Sequence, residues 1–292
     1  MYSQIASNKR KSLLLMLIFI IVIAGLAWVW SQYSNSGSSM VVFAIIIASL
    51  MSLVSFYAGD KLALSSAGAK EIKREDNPPV WRMVENLSIT AGLPMPKVYL
   101  INDQNMNAFA TGRDPEHASV ALTTGIIQGL ENEELEGVIA HELSHVKNYD
   151  IRVMMVVIVC IGIITLLSDW LLHSFLWRGN RNSENKTNAV IMIIGLILAI
   201  LSPLFAQLIQ LAVSRKREFL ADASGALLTR YPEGLAKALE KISSQNAMHP
   251  LRHSNKATAH LYFANPFKAE SVSKLFSTHP PVAERIKALR SM

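Results

Sequence analysis

Apolar residues in this chain are gathered into four long blocks instead of being spread at the spacing of a soluble core. Blocks 13–30 and 41–57 are joined by the polar turn "SQYSNSGSS", and no charged residue occurs between Lys11 and Asp60. A third block covers 153–172. A fourth covers 189–213, broken only by Pro203 and uncharged polar residues. Each approaches the ~20 residues that cross a ~30 Å hydrocarbon core, and neighbouring helices can satisfy the carbonyl freed by Pro203. The pattern predicts four membrane-spanning helices. The basic "NKRK" before the first block has the look of a secretory leader. Its apolar core is too long for one and a second span follows closely, so the first block is expected to remain as a span.

Removing the spans leaves two polar segments. The predicted organisation is a transmembrane hairpin over 1–60, a polar segment over 61–152, a second hairpin over 153–213 and a second polar segment over 214–292. In the first polar segment, "NPPVWRMVENLSITAGLPMP" predicts a helix closed by Gly92 and Pro94. "KVYLI" and "SVALTTGII" are β-branched runs that predict strands, with a further strand in "NAFATGRDPEH". "ENEELEGVIAHELSHVKNYD" opens with acidic residues, as helix N-termini favour. Leu135, Val138, Ile139, Leu143 and Val146 give it an apolar stripe at helical spacing. The second polar segment reads as mostly helical, with breaks at "AMHPLRH" and "STHPP".

Charge orients the blocks. Lys9, Arg10 and Lys11 precede the first span, and Lys61, Lys70, Lys73 and Arg74 follow the second, while the turn between them carries none. Arg178, Arg181 and Lys186 lie between spans three and four but do not outweigh the rest. The positive-inside rule places both termini and the 58–152 segment in the cytoplasm. Trp28, Trp30, Trp170 and Trp177 lie near span ends, where interfacial anchors belong. This bias accounts for the net charge of +6, so it points to no nucleic-acid partner. The single Cys160 offers no disulfide, in keeping with a reducing compartment.

The candidate chemistry sits in "HELSH". His141 and His145, one helical turn apart, can present both imidazoles to one ion. A catalytic zinc keeps three protein ligands and an open position for water. Glu142 would stand beside that water and take its proton as it attacks a carbonyl. A third ligand is available in "SRKREFLADASGALL", where Glu218 and Asp222 are again one turn apart. Glu218 can complete the ligand set, and Asp222 can accept a hydrogen bond from a ligand histidine and fix its tautomer. Two predicted crossings separate "HELSH" from Glu218, which returns the chain to the same side of the membrane. Counting ~1.5 Å per helical residue puts His145 roughly 12 Å, and Glu218 roughly 6–8 Å, from their spans.

The remaining histidines weigh less. His249 and His253 share the same spacing but flank Pro250 and read as surface residues; His117 and His260 have no supporting context. His173 falls on the opposite side of the membrane. His279, just before an apparent helix, can either donate to the oxyanion formed during attack or simply pack on Pro280.

At these residues the chain resembles the HtpX-type membrane zinc endopeptidases of bacteria, relatives of the type-I CAAX prenyl proteases and of mitochondrial stress-activated metalloproteases. The resemblance extends over nearly the whole chain: the N-terminal apolar pair, "NAFATG", "HELSH" leading into a span, "SRKREFLAD" after the next, and "THPP" near the end. It implies an α-helical integral membrane protein with four transmembrane helices and a cytoplasmic α+β zincin-like protease domain assembled from the two polar segments. His141, His145 and Glu218 would hold one zinc ion per chain. Glu142 would be the catalytic base, Asp222 the acid behind the ligands, and His279 a transition-state stabiliser. Asn107, Ala108, Phe109 and Ala110 would form an edge strand that pairs with the substrate backbone. The implied setting is the bacterial inner membrane, multi-pass and active toward the cytoplasm. There it would cut damaged or misassembled membrane proteins or unfolded polypeptides under stress.

Three other readings compete, one of them also a protease. A processing protease for prenylated or other specific peptides would be expected to have a chamber of more spans. A non-proteolytic membrane zinc protein would have no use for Glu142. A transporter would need more intramembrane charge than Asp169 at a span end supplies. The ligand types indicate zinc without excluding other divalent ions. Because an endopeptidase facing the cytoplasm needs restraint, the 214–292 segment is expected to cover part of the active site until substrate arrives.

Overall fold

A computed structural model describes residues 2–34, 37–157, 160, 162–163, 215–246, 263 and 280–292. Helices α1 (Tyr2–Ser34) and α2 (Ser39–Ser66) follow the first two apolar blocks and overrun both, α2 continuing through Asp60 and Lys61. Both are long and apolar enough to cross a membrane, and only 11% and 17% of their most apolar windows are buried inside the protein. Leu13, Ile21, Phe43 and Leu50 are exposed, which a water-soluble core helix would not tolerate in such number. The chain is therefore a membrane protein with two candidate spans. The third block begins as helix over 150–157. Most of that block and all of the fourth, with His173, Trp170 and Trp177, lie outside the described residues.

Beyond the hairpin the chain builds a small sheet covered by helices. Strands β1 (Lys70–Glu71), β2 (Lys97–Ile101), β3 (Ala108–Gly112) and β4 (Ala118–Thr123) are arranged in the order β1-β2-β4-β3. β2 runs parallel to β4, with Val98 opposite Val120; β3 runs antiparallel to it, with Ala110 opposite Val120. Among the described residues, this leaves one side of β3 as a sheet edge. α3 (Pro78–Ala91) starts at Asn77, whose side chain accepts from Val80 N, and stops at Gly92 in the left-handed region, φ 68°. The expected strand "SVALTTGII" ends early. Thr123 Oγ1 accepts from Ile126 N and starts the short helix α4 (Thr124–Gly129), so capping prevails over β-branched propensity.

Helix α5 (Asn132–Lys147) starts with Glu131 and Glu134 in a reciprocal capping box. The predicted stripe Leu135, Val138, Ile139, Leu143 and Val146 is buried, and so are His141, Glu142 and His145 beside it. α5 is a central helix, packed by β3, α3, α6 (Arg215–Thr229) and α7 (Pro232–Asn246). A last helix, α8 (Val282–Leu289), follows Pro280–Pro281 and packs on α6 and α7. The "AMHPLRH" break lies outside the described residues. In one respect the structure corrects the sequence reading: α5 does not run straight into the third block. It ends in a turn at Asn148–Tyr149, Tyr149 at φ 59°, before helix resumes at 150.

Candidate metal centre

Two glycines set how closely the helices around α5 approach. A Cβ on Gly225 of α6 would lie 3.0 Å from the His141 backbone nitrogen, and one on Gly137 of α5 would lie 2.9 Å from that of Leu235 in α7. Gly225 shares a helical face with Glu218 and Asp222, seven and three residues earlier, so this contact turns both carboxylates toward α5.

There the predicted ligand atoms converge. His141 Nε2 and His145 Nε2 are 3.1 Å apart. Glu218 places one oxygen 3.8 Å from His141 Nε2 and the other 3.5 Å from His145 Nε2. All three side chains are buried. Nitrogen ligands at ~2.0–2.1 Å from a tetrahedral ion would sit roughly 3.4 Å from one another, so these spacings fit a shared cation.

Both imidazoles are held from behind. His141 Nδ1 lies 2.9 Å from Asp222 Oδ1, close enough for an ion pair though off the line of an aligned hydrogen bond. His145 Nδ1 lies 3.0 Å from Asp150 Oδ2. Partners on both Nδ1 atoms leave both Nε2 lone pairs aimed at the common point. Asp150 is in turn paired with Arg217 at 3.0 Å. Arg285 of α8 makes a two-pronged contact with Asp222 at 2.7 and 2.8 Å and lies 3.8 Å from Glu218. Four buried carboxylates (Glu142, Asp150, Glu218, Asp222) thus face two guanidiniums (Arg217, Arg285). With neutral imidazoles and all four acids ionised, that leaves a deficit of two positive charges, which one divalent cation offsets.

The ionisation of the site follows from this arrangement. Burial pushes the Glu142 carboxyl above its ordinary range, against the attraction of the two histidines and the Ala110 amide. Burial alone would lower His145, but Asp150, Glu218 and Glu142 override it and hold the imidazole up at about 9 in the metal-free site. Burial would raise Asp222, yet its contacts with Arg285 and His141 keep it down at about 2.

The sheet edge reaches the same place. Ala110 N donates to Glu142 Oε2 at 2.8 Å, and Ala108 O accepts from Phe263 N at 2.8 Å, so alternate residues of β3 turn backbone groups away from β4. Asn107 O instead accepts from Thr123 N in β4, and the Phe109 side chain packs into an apolar cluster with Val153 and Met155. The Phe263 ring stands edge-on to His141, centroids 5.0 Å apart, with the Arg285 guanidinium 4.9 Å over its face. His249, His253, His260 and His279 lie outside the described residues. His117 is half-exposed beside Asp114, away from this cluster.

Sequence reasoning missed Asp150, Arg217, Arg285 and Phe263. "HVKNYD" hid Asp150 because only a helix break brings that residue back toward His145. Arg285, six residues after His279, carried no signal of its own.

Comparisons with known proteins agree with this geometry. The profile described as peptidase family M48 matches residues 74–292. A protease HtpX homolog of Tropheryma whipplei (strain Twist) is 47% identical over 292 residues, covering 100% of this chain and 98% of that protein. One from Dictyoglomus turgidum is 43% identical over 291 residues, covering 100% and 94%. The crystal structure of S. mikatae Ste24p matches with a TM-score of 0.53 at 18% identity over 99% of this chain, which spans 66% of that one. At that identity the likeness is one of fold.

Proposed function

The chain belongs to peptidase family M48, and from that premise we propose that it is a membrane-embedded zinc endopeptidase in which Glu142 is the proton-transferring base. The metalloprotease class comes with the family; the residue roles and the substrate are our reading. The observation that carries the reading is the meeting of three buried ligand side chains with Glu142 and, through Ala110, the outer edge of β3.

His141, His145 and Glu218 would hold the zinc. When bound, the ion supplies Lewis acidity toward a water molecule and the scissile carbonyl. The protein's own residues do the rest. Asp222 and Asp150 hold protons on the Nδ1 atoms of the histidines and keep their Nε2 atoms available. Glu142 takes a proton from the attacking water and delivers it to the leaving amine. Its burial keeps its basicity above that of an ordinary carboxylate, which suits a proton that must be both taken and returned. Ala108 and Ala110 pair with an extended substrate along the edge of β3. The Phe263 amide uses one of those edge acceptors in this structure, which supports the expectation that the 214–292 segment shields the site. His279 keeps its proposed role of oxyanion donor on the resemblance alone.

An endopeptidase that binds backbone at a sheet edge reads little side-chain identity, which suits damaged or misassembled membrane proteins and unfolded polypeptides at the cytoplasmic face. The experiment is cleavage of an unfolded protein by detergent-purified wild type and Glu142→Gln, both stripped of metal and resupplied with zinc. Zinc-dependent cleavage by wild type alone is expected, with zinc bound equally by both. Equal cleavage by the two would refute the role of Glu142.

A further inference from the structure

We propose that Asn8, near the start of the N-terminal apolar helix, is a positioning residue of the metal centre, acting through Asp150 on His145. The inference rests on the reading above that the three ligands bind a metal.

Asn8 is 2% exposed, and a buried amide costs free energy unless it is hydrogen-bonded. Its Nδ2 donates to Asn148 O at 2.8 Å and to Asp150 Oδ1 at 2.7 Å, bonds that join residues more than 100 positions apart. The next residue, Lys9, places its ammonium 4.5 Å over the Tyr149 ring. α1 therefore grips the turn after α5 at each of its three residues, 148, 149 and 150. Tyr149 sits there in the left-handed region, φ 59°, which a non-glycine residue adopts only when its surroundings impose it.

Asp150 relays this grip. Oδ1 takes the Asn8 amide and the Arg217 guanidinium, and Oδ2 faces His145 Nδ1. Arg217 directly precedes the ligand Glu218 on α6, and its Nη1 also approaches Asn8 Oδ1 at 3.4 Å. One carboxylate thus ties together α1, the turn that follows two ligands, and the helix that carries the third. Without the Asn8 amide, Asp150 can rotate toward Arg217, and the His145 ring loses the partner that fixes its tautomer and angle. The N-terminal helix becomes part of the metal site, so its docking and ligand geometry stand or fall together.

The test uses the full chain in detergent: wild type, Asn8→Leu, Leu15→Ala, Asp150→Asn, and Asn8→Leu combined with Asp150→Asn. Leu15 lies on the same helix and packs against the apolar cluster that includes Val153, which none of Asn8, Asp150 and Arg217 belongs to. Zinc affinity is measured by competition with a chromophoric chelator, and ligand geometry by the visible spectrum of the cobalt-substituted protein. Loss of a partner behind a ligand typically weakens metal binding about 10- to 100-fold. Asn8→Leu, one step further out, is expected near the lower end, with an altered cobalt spectrum. Leu15→Ala is expected to lower the melting temperature while leaving zinc affinity and the spectrum unchanged. Adding Asn8→Leu to Asp150→Asn should cost nothing further. The proposal is overturned if Asn8→Leu binds zinc like wild type with an unchanged spectrum. It is also overturned if Leu15→Ala weakens zinc equally, or if the double variant shows the full sum of losses. Should Asn8→Leu not fold, Asn8→Ser takes its place with the same readouts. If wild type binds no zinc, or His145→Ala binds it as well as wild type, the metal-site reading itself has failed instead.

Discussion

Arg285 is 1% exposed and bears on Asp222 and Glu218 at once. Removing its charge would leave two buried carboxylates facing each other across the ligand set. Breaking one side of a buried ion pair costs roughly 3–5 kcal/mol, so Arg285→Met should lower the melting temperature sharply. Adding Asp222→Asn to it should recover part of the loss, because one uncompensated charge disappears. Thermal unfolding in detergent of the two single variants and the double variant checks this. A double variant no more stable than Arg285→Met would show that charge compensation is not what Arg285 provides. At this scale the sequence was legible where one helix carries both partners, as with His141 and His145 or Glu218 and Asp222. Arg285, Asp150 and Phe263 reach the site from separate segments, and no single-helix periodicity reports such a meeting.

At the scale of elements, the decisive contact is α6 on α5. The atoms that a Gly225 Cβ would meet are backbone atoms of His141 and Ala140, which cannot swing aside like a flexible side chain. Gly225→Ala must shift α6 by a few tenths of an ångström, and Gly225→Leu must lever it away, taking Glu218 and Asp222 along. Zinc affinity is expected to fall for the alanine variant and to collapse for the leucine variant. Leu227→Ala, at a position 79% exposed on the same helix, should bind as wild type does. Retention of wild-type affinity by Gly225→Leu would mean that Glu218 does not depend on this close approach. The pattern foretold α3, α5 and β2 well because caps, stripe and β-branched runs agreed there. It failed where two local preferences competed: Thr123 capping against the isoleucines of "TTGII", and the left-handed Tyr149 against an apparently continuous helix.

For the whole molecule, the fold constrains the membrane arrangement. The N-terminal turns of α1 dock on the turn at 148–150, beside the ligands, so the N-terminus and the metal site must share one side of any membrane that α1 crosses. Glu218 meets His141 and His145, so all three ligands lie on one side of any membrane the chain crosses. Lys9, Arg10 and Lys11 before α1, and Lys70, Lys73 and Arg74 after α2, favour the cytoplasm for that side. Ser38, in an uncharged stretch between α1 and α2, would then face outward. Single-cysteine reporters in a Cys160→Ala background test the orientation in intact cells with a membrane-impermeant thiol reagent. A reporter at Ser38, which is exposed, should be labelled at once, and one at Lys73, also exposed, only after the membrane is permeabilised. The reverse pattern would put the peptidase outside the cell membrane, where cytoplasmic quality control could not be its task. Labelling of both in intact cells would mean that α1 and α2 do not form a spanning hairpin.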